Sequence, residues 1–289
     1  RDLHKEYRRQ RQMCIRDSSR LTEDPNTSVL LLEAGPDYTS FDQVPDDVKL
    51  GNNVWRSAYG NHSWGYLATA TPRQTDPIII PRGKTTGGSS SINGQVLFRG
   101  IPQDYDNWAE WGNTEWAFTN VLPYFKKLEN DLDFPGGDFH GNDGPIPVRR
   151  YKREEWLPYF GAFYDACVSV GYPAHPDHND PETNGVAARP MNNIDGVRMS
   201  TALTYLSMAR HRMNLTIKGD VLVHRILFDG NKAIGIEAES GGEVFKIDAD
   251  EVIISSGAIA SPQIMLLSGI GPKTHLEEFG ITQILDLPG

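Results

Sequence analysis

A chain of 289 residues with 38% hydrophobic content and 28 glycines is long enough to bury a sizeable core, as one large domain or two intertwined ones. Its formal net charge of -10, with no Lys/Arg stripe interleaved with aromatics, argues against a nucleic-acid partner. Two cysteines, Cys14 and Cys167, make no disulfide framework, no CxxC or Cys/His cluster suggests a metal, and no apolar run approaches the roughly 18 to 20 residues that span a bilayer.

Residues 1–16 are basic without a following apolar stretch, unlike a secretory signal. The run Gln12-Met13-Cys14-Ile15-Arg16-Asp17-Ser18 resembles the translation of a sequencing adapter, so residues 1–17 are expected to be a non-native addition. A helix is expected to end at Leu21, followed by turn chemistry at Glu23-Asp24-Pro25-Asn26. Residues 28–33 form an uninterrupted apolar run closing on an acid, the pattern of a buried parallel strand. Residues 36–82, rich in Pro, Asp, Trp and Tyr, read as a long excursion that ends on Ile78-Ile79-Ile80.

Residues 104–130 have helical periodicity, with Trp108, Trp111, Val121, Leu122, Phe125 and Leu128 expected in a core. A Gly/Pro-rich loop over 133–150 leads to a second amphipathic helix over 155–170. Strands are then expected at 214–217, 221–228, 233–238, 244–247 and 251–255, with Asp229-Gly230-Asn231-Lys232 as a hairpin turn. The last strand runs into a glycine turn at Gly257 and a helix that buries Ile264, Met265 and Leu267 and stops at Gly269.

Two features carry chemistry. In a dinucleotide-binding fold an acid at the carboxyl end of the second strand accepts hydrogen bonds from ribose hydroxyls, and Glu33 stands in that position. A solvated strand end is the plainer reading of the same residue. The GxGxxG loop expected upstream is absent, so either no dinucleotide binds or that segment has been lost.

The loop Gly83-Lys84-Thr85-Thr86-Gly87-Gly88-Ser89-Ser90-Ser91-Ile92-Asn93-Gly94 bears on the choice. Its glycines let backbone approach a phosphate or a ring closely, its serines and backbone N–H groups donate to anions, and a helix beginning near Asn93 would add its positive end. A flexible polar linker is the alternative, opposed by the apolar segments on both sides.

This loop and the block from Gly257 through Ala258, Ser261, Pro262, Ile264, Met265, Ser268, Gly269 and Ile270 to Gly271 resemble the two signatures of the glucose-methanol-choline oxidoreductases, flavoproteins that oxidise alcohols. The loop departs from that pattern at Thr86, where an aliphatic residue is usual, and at Leu97. The resemblance covers residues 20–289 and is closest to choline dehydrogenases and related bacterial alcohol dehydrogenases.

It implies an α/β fold: an FAD-binding, Rossmann-like, doubly wound domain joined to part of an α+β substrate-binding domain. Residues 18–150 would be the FAD-binding region with its Gly-rich loop, 151–213 part of the substrate region, and 214–289 the return to the FAD-binding domain. By position, Glu33 would bind ribose, Gly83, Thr85, Gly87, Gly88 and Ser89 would line the pyrophosphate and ring, Asn93 and Gly94 would sit near the isoalloxazine, and Val223 would meet adenine through its backbone. Ile92 stands where some members attach flavin through histidine, which implies noncovalent FAD.

Alcohol oxidation needs a base for the hydroxyl proton while hydride leaves for the flavin N5. The family's base is a histidine far beyond Gly289, and none of His62, His140, His175, His178, His211, His224 or His275 matches it. No catalytic residue and no metal ligand is therefore assigned, and His175-Pro176-Asp177-His178 is read as an exposed loop. The parent protein is expected to oxidise a choline-like primary alcohol and to pass electrons to a quinone or oxygen. This stretch alone is expected to be inactive and to lack both ends. The expected location is cytoplasmic, with peripheral association at the inner membrane left open. The alternatives are a hydroxynitrile lyase-like protein on the same scaffold and a nonenzymatic flavoprotein fragment.

Overall fold

The structure is a computed structural model that describes residues 14–51 and 53–288. Contacts divide the described residues into two units: those within 14–43, 84–88 and 205–288 form one, and those within 44–83 and 89–204 the other. The first unit thus takes its pieces from three separated stretches of sequence.

Helix Cys14–Leu21 opens the first unit and ends at Leu21 as expected, with Ile15 buried. Of the segment expected to be foreign, residues 1–13 lie outside the described residues and 14–17 fall within this helix. The following turn closes on itself through the Asp24 carboxylate, which accepts from the Asn26 amide at 2.9 Å. Asn214 then donates to the carbonyls of Thr27 (2.8 Å), Asp24 (3.0 Å) and Thr22 (3.3 Å). One side chain thereby sets the start of strand Leu215–Lys218 alongside strand Val29–Leu32, and the two run parallel with Val29 opposite Leu215.

A three-stranded antiparallel sheet follows: Leu222–Asp229, Lys232–Ser240 and Glu243–Asp248. Asp229 pairs with Lys232, so Gly230 and Asn231 make a two-residue loop with Gly230 at φ 57°, the hairpin expected there. The core of this unit is Val221, Ile236 and Ala238, with Leu32, Val223, Ile247 and Val252 packed against it.

Helix Gly257–Leu267 follows, and its end explains the block around Gly269. Gly269, at φ 86°, donates to the Leu266 carbonyl and Ile270 to that of Met265, the pair of bonds that closes a helix on a left-handed glycine. Ser268 accepts from the Ile226 amide at 2.8 Å and donates to the Ile264 carbonyl at 2.6 Å, tying helix to sheet. Two expectations fail here. Leu267 is exposed and Ile264 and Met265 are only half-buried, and 251–255 form no strand because they have no ladder neighbour among the described residues.

The second unit holds the hairpin of Tyr66–Ala68 with Ile78–Ile80. It also holds a small sheet in which Ile146–Arg150 runs parallel to Glu129–Asp131 and antiparallel to Pro190–Met191. The periodic stretch 104–130 becomes two helices, Pro102–Glu110 and Phe118–Leu128, because Gly112 at φ 99° stops the first. Gly112 donates to Ala109 and Asn113 to Trp108, the same closure as at Gly269. The aromatics expected in a core are not buried: Trp108 packs edge-on against Tyr105 and Trp116, yet it and Trp111 stay exposed. Helix Pro158–Ser169 likewise leaves Tyr159, Phe160 and Phe163 exposed.

Ser268→Ala leaves the Ile226 amide buried without its acceptor. It is expected to cost about 1–3 kcal/mol, read as a lower urea midpoint, and an unchanged midpoint would contradict this account of the helix–sheet tie.

Candidate cofactor site

In the first unit the chain leaves strand Val29–Leu32 at Glu33 and turns back across the Gly-rich loop. Ladder bonds continue beyond the strand: Glu33 donates to the Lys218 carbonyl (3.0 Å), Val221 to that of Glu33 (2.9 Å) and Asp220 to that of Gly35 (2.9 Å). A Cβ on Gly35 would lie 2.0 Å from the Lys84 carbonyl oxygen and 2.6 Å from the Thr85 nitrogen. A Cβ on Gly219 would lie 2.7 Å from the Asp37 nitrogen. Both contacts are backbone on backbone, so no side chain can move aside, and glycine is required.

Thr85 is fully buried, and its hydroxyl donates to the Pro36 carbonyl at 3.0 Å, which also accepts from the Thr86 amide at 3.0 Å. These bonds lock loop and turn together and occupy the hydroxyls expected at a phosphate. Asp37 pairs through both carboxylate oxygens with Arg210. Burial alone would raise its pKa, but Arg210 and the Thr86 hydroxyl hold it below the usual carboxylate range.

Glu33 is half-buried and its Oε1 accepts from the Gly35 amide at 2.9 Å. Burial pushes its pKa up to about 7, against the lowering effect of the Gly35 and Ala34 amides and Lys84. Nearby Asp37 adds a smaller upward push. Gly87 at φ 99° and Gly88 at φ 53° are left-handed, and nothing lies within 4 Å of where a Gly88 Cβ would project. Val223 sits at the edge of the core, packed against the cluster of Val221, Ile236 and Ala238. Glu33, Thr85, Gly87, Gly88 and Val223 thus belong to one unit, and the turn packs directly on the loop.

Gly83, Ser89, Asn93 and Gly94 belong to the second unit. Ser89 accepts from the Gly83 amide at 3.1 Å, leaving its own O–H to donate, while the Ser90 and Thr201 hydroxyls lie 2.9 Å apart. No helix begins at Asn93. Its side chain accepts from the Gln95 amide at 2.9 Å, and Gln95 takes a left-handed φ of 61°, which ends any helical path. Gln95 is held there by the Gly51 carbonyl (2.8 Å) and the side chain of Asn193, and its own carbonyl accepts from the Asn192 amide (2.9 Å). A Cβ on Gly94 would meet nothing within 4 Å.

Within the first unit, the acid after the strand and the open space beside Gly88 are features that suit a dinucleotide. Sequence reasoning missed Gly35, Gly219, Gln95 and Arg210. Gly35 was visible two residues after Glu33, whereas nothing local marks the other three.

Among the described residues one group has metal-ligand spacing: Glu129, Asp131 and His140, all buried. His140 Nδ1 lies 3.0 Å from both Glu129 and Asp131, and Nε2 lies 3.0 Å from Asp177. Carboxylates only accept, so both ring nitrogens donate and His140 is an imidazolium. Burial would depress its pKa, but the three carboxylates push it up to about 10. Arg150 pairs with Asp131 and Asp177, and Arg99 with Glu129. Arg99, Arg150 and His140 thus face the three buried carboxylates Glu129, Asp131 and Asp177, and Asp133 lies 3.5 Å from Arg150 at the edge of the cluster. The expectation of an exposed loop at 175–178 is corrected at Asp177, which is buried because two cations hold it.

Comparison with known proteins places these features in context. A family model described as GMC oxidoreductase matches residues 38–286. An uncharacterized GMC-type oxidoreductase of Rhodococcus erythropolis is 41% identical over 272 residues, covering 94% of this chain and 54% of that protein. An oxygen-dependent choline dehydrogenase of Vibrio vulnificus is 40% identical, covering 94% of this chain and 48% of that protein. The crystal structure of pyridoxine 4-oxidase from Mesorbium loti superposes with a TM-score of 0.87 at 30% identity, covering 94% of this chain and 52% of that one. The chain spans about half the length of the curated relatives it matches. GMC oxidoreductases are FAD-binding flavoproteins with this mixed helix-and-strand fold.

Gly35→Ala forces two backbones apart and is expected to destabilise the chain by about 1–3 kcal/mol; a wild-type urea midpoint would show that the close approach is dispensable. His140 supplies a second test. A pKa raised on folding stabilises fully below the unfolded value near 6.5 and is lost as pH rises toward about 10. Urea midpoints of the unsubstituted chain are expected to fall from pH 7 to 9, and those of His140→Gln to start about 3 kcal/mol lower without that slope. Parallel slopes would remove His140 as the source.

Proposed function

This chain belongs to the GMC oxidoreductase family, and we propose that it holds FAD noncovalently in a protein that oxidises a choline-like primary alcohol. The observation that carries the proposal is the Gly35 turn packed on Lys84 and Thr85, which sets Glu33 beside the Gly-rich loop. Glu33 accepts the ribose hydroxyls there, and the space beside Gly88 lets the pyrophosphate approach backbone. Asn93 and Gly94 border the ring. Ile92, buried and apolar, offers nothing that could bond to a flavin.

Bound FAD would supply the hydride acceptor of the reaction. The chain's own residues bind and orient. Each described histidine with a polar partner is engaged within its own unit: His62 with Asp47, His140 in the ion cluster, His175 with Thr183 and the Asp177 carbonyl, His224 with Glu239, and His275 near Glu278. We therefore assign none of them as the base, and these 289 residues alone are expected to bind flavin without turning over alcohol. Choline is the leading substrate because several relatives are named choline dehydrogenases, and the word oxygen-dependent in those names makes oxygen the first acceptor to test, with a quinone second.

The Glu33 carboxyl, with its pKa near 7, gives the test. Ribose hydroxyls donate to the ionised form, so the group must lose its proton to bind. FAD affinity, read by quenching of flavin fluorescence, is expected to rise about tenfold between pH 6 and 8 and then level off. Glu33→Gln should bind about tenfold more weakly at pH 8 with no pH dependence. No saturable binding, or the same pH profile in Glu33→Gln, would reject the reading.

A further inference from the structure

One fully buried cation in the second unit lies outside the ion cluster. Arg198 is 0% exposed. Its Nε donates to the Asn93 carbonyl at 3.1 Å, and its terminal nitrogens donate to the Ser91 carbonyl at 2.9 Å, the Val48 carbonyl, and the Ser57 hydroxyl at 3.0 Å. The Asp47 carbonyl accepts more weakly at 3.4 Å. Among the described residues no carboxylate bonds it directly. Burial accordingly pulls its pKa down, and only the charge of Asp47 opposes this.

Such a site is costly to form, since a buried charge with no directly bonded carboxylate must be compensated mainly by dipoles. The geometry also requires arginine in particular. The partners come from residues 48, 57, 91 and 93, and a planar fork can reach several carbonyls at once, whereas an ammonium acts as a point charge on a flexible stem. The two carbonyls within the Gly-rich loop, of Ser91 and Asn93, bracket Ile92, which is buried. Immediately after them come Gly94, with open space where a Cβ would project, and Gln95 in its left-handed conformation. A left-handed non-glycine residue persists only where its surroundings over-determine it. Gln95 is fixed from its own side by Gly51, Asn192 and Asn193, and Arg198 fixes the residues before it.

We propose that Arg198 is the positioning residue of the 91–95 turn, drawing the carbonyl oxygens of Ser91 and Asn93 inward so that the open side of the turn at Gly94 is held, free of those oxygens, for the flavin ring. This rests on the reading that the turn borders the ring. Arg198 acts through the turn and touches no reacting atom.

The test is hydrogen exchange on the cofactor-free chain, which reads the turn whether or not flavin binds. Arg198→Met is expected to speed exchange of the amides at 89–95 about a hundredfold and Arg198→Lys about tenfold. Amides of strand Lys232–Ser240 should not change. Unchanged exchange at 89–95 in Arg198→Met, or equal effects of Met and Lys, overturns the proposal. If Arg198→Met does not fold, Arg198→Lys alone carries the test, with exchange expected to rise about tenfold at 89–95 only; no change, or a rise spread through the unit, also overturns it. Adding FAD to the unsubstituted chain should slow exchange at 89–95. Absence of that protection, with the Arg198 effects intact, rejects the flavin reading and leaves the turn's dependence on Arg198 standing.

Discussion

The contact between Gly35 and the Lys84–Thr85 peptide is the constraint on which the first unit is built. Nothing larger than hydrogen fits between the two backbones, so the turn after strand Val29–Leu32 and the Gly-rich loop are set at one separation rather than a range. That separation brings the Pro36 carbonyl within reach of Thr85 and Thr86. It also leaves Glu33 half-buried at the strand end, where burial raises its pKa. A carboxyl poised in this way results from packing, since the residue itself is an ordinary glutamate.

The second unit manages buried charge in two ways. Around His140, three buried carboxylates and three cations face one another, and backbone groups of Asp133, Phe134, Phe139 and Gly141 fill further hydrogen-bonding positions. Around Arg198, backbone carbonyls do the same work. The first arrangement pins the short strands Glu129–Asp131 and Ile146–Arg150 to the loop carrying Asp177, giving rigidity to a region with little apolar core. The second is more specific, because backbone dipoles can compensate a cation only if the segments bearing them are placed about it.

Family membership and the physical reading support each other at different scales. A 30% identical structure superposes over 94% of the chain with a TM-score of 0.87, which shows that the fold tolerates replacement of most residues. Replacement is physically barred where backbone approaches backbone, as at Gly35, Gly141, Gly144, Gly185 and Gly219, and at Gly269 by its φ of 86° and a Thr282 carbonyl 2.4 Å from any Cβ.

What the sequence determined by itself was local. Periodicity and turn chemistry located the strands from 214 to 247, the Gly230 hairpin and the stop at Gly269, because these depend on neighbours a few residues apart. The two glycine-bearing blocks were legible for the same reason, and they led to the family. Tertiary structure alone decided what became of side chains whose partners are distant in sequence. Asp177 looked exposed until Arg150 and His140 reached it; Trp111 looked like core and is exposed. Residues 251–255 had the composition of a strand but no described neighbour to bond with. Arg198 joins residues between 105 and 150 positions away, and no window along the chain contains them together. Buried charge and close backbone approach are properties of space, which is why the grip on the loop could be suspected from its glycines but the residues that shape it could not.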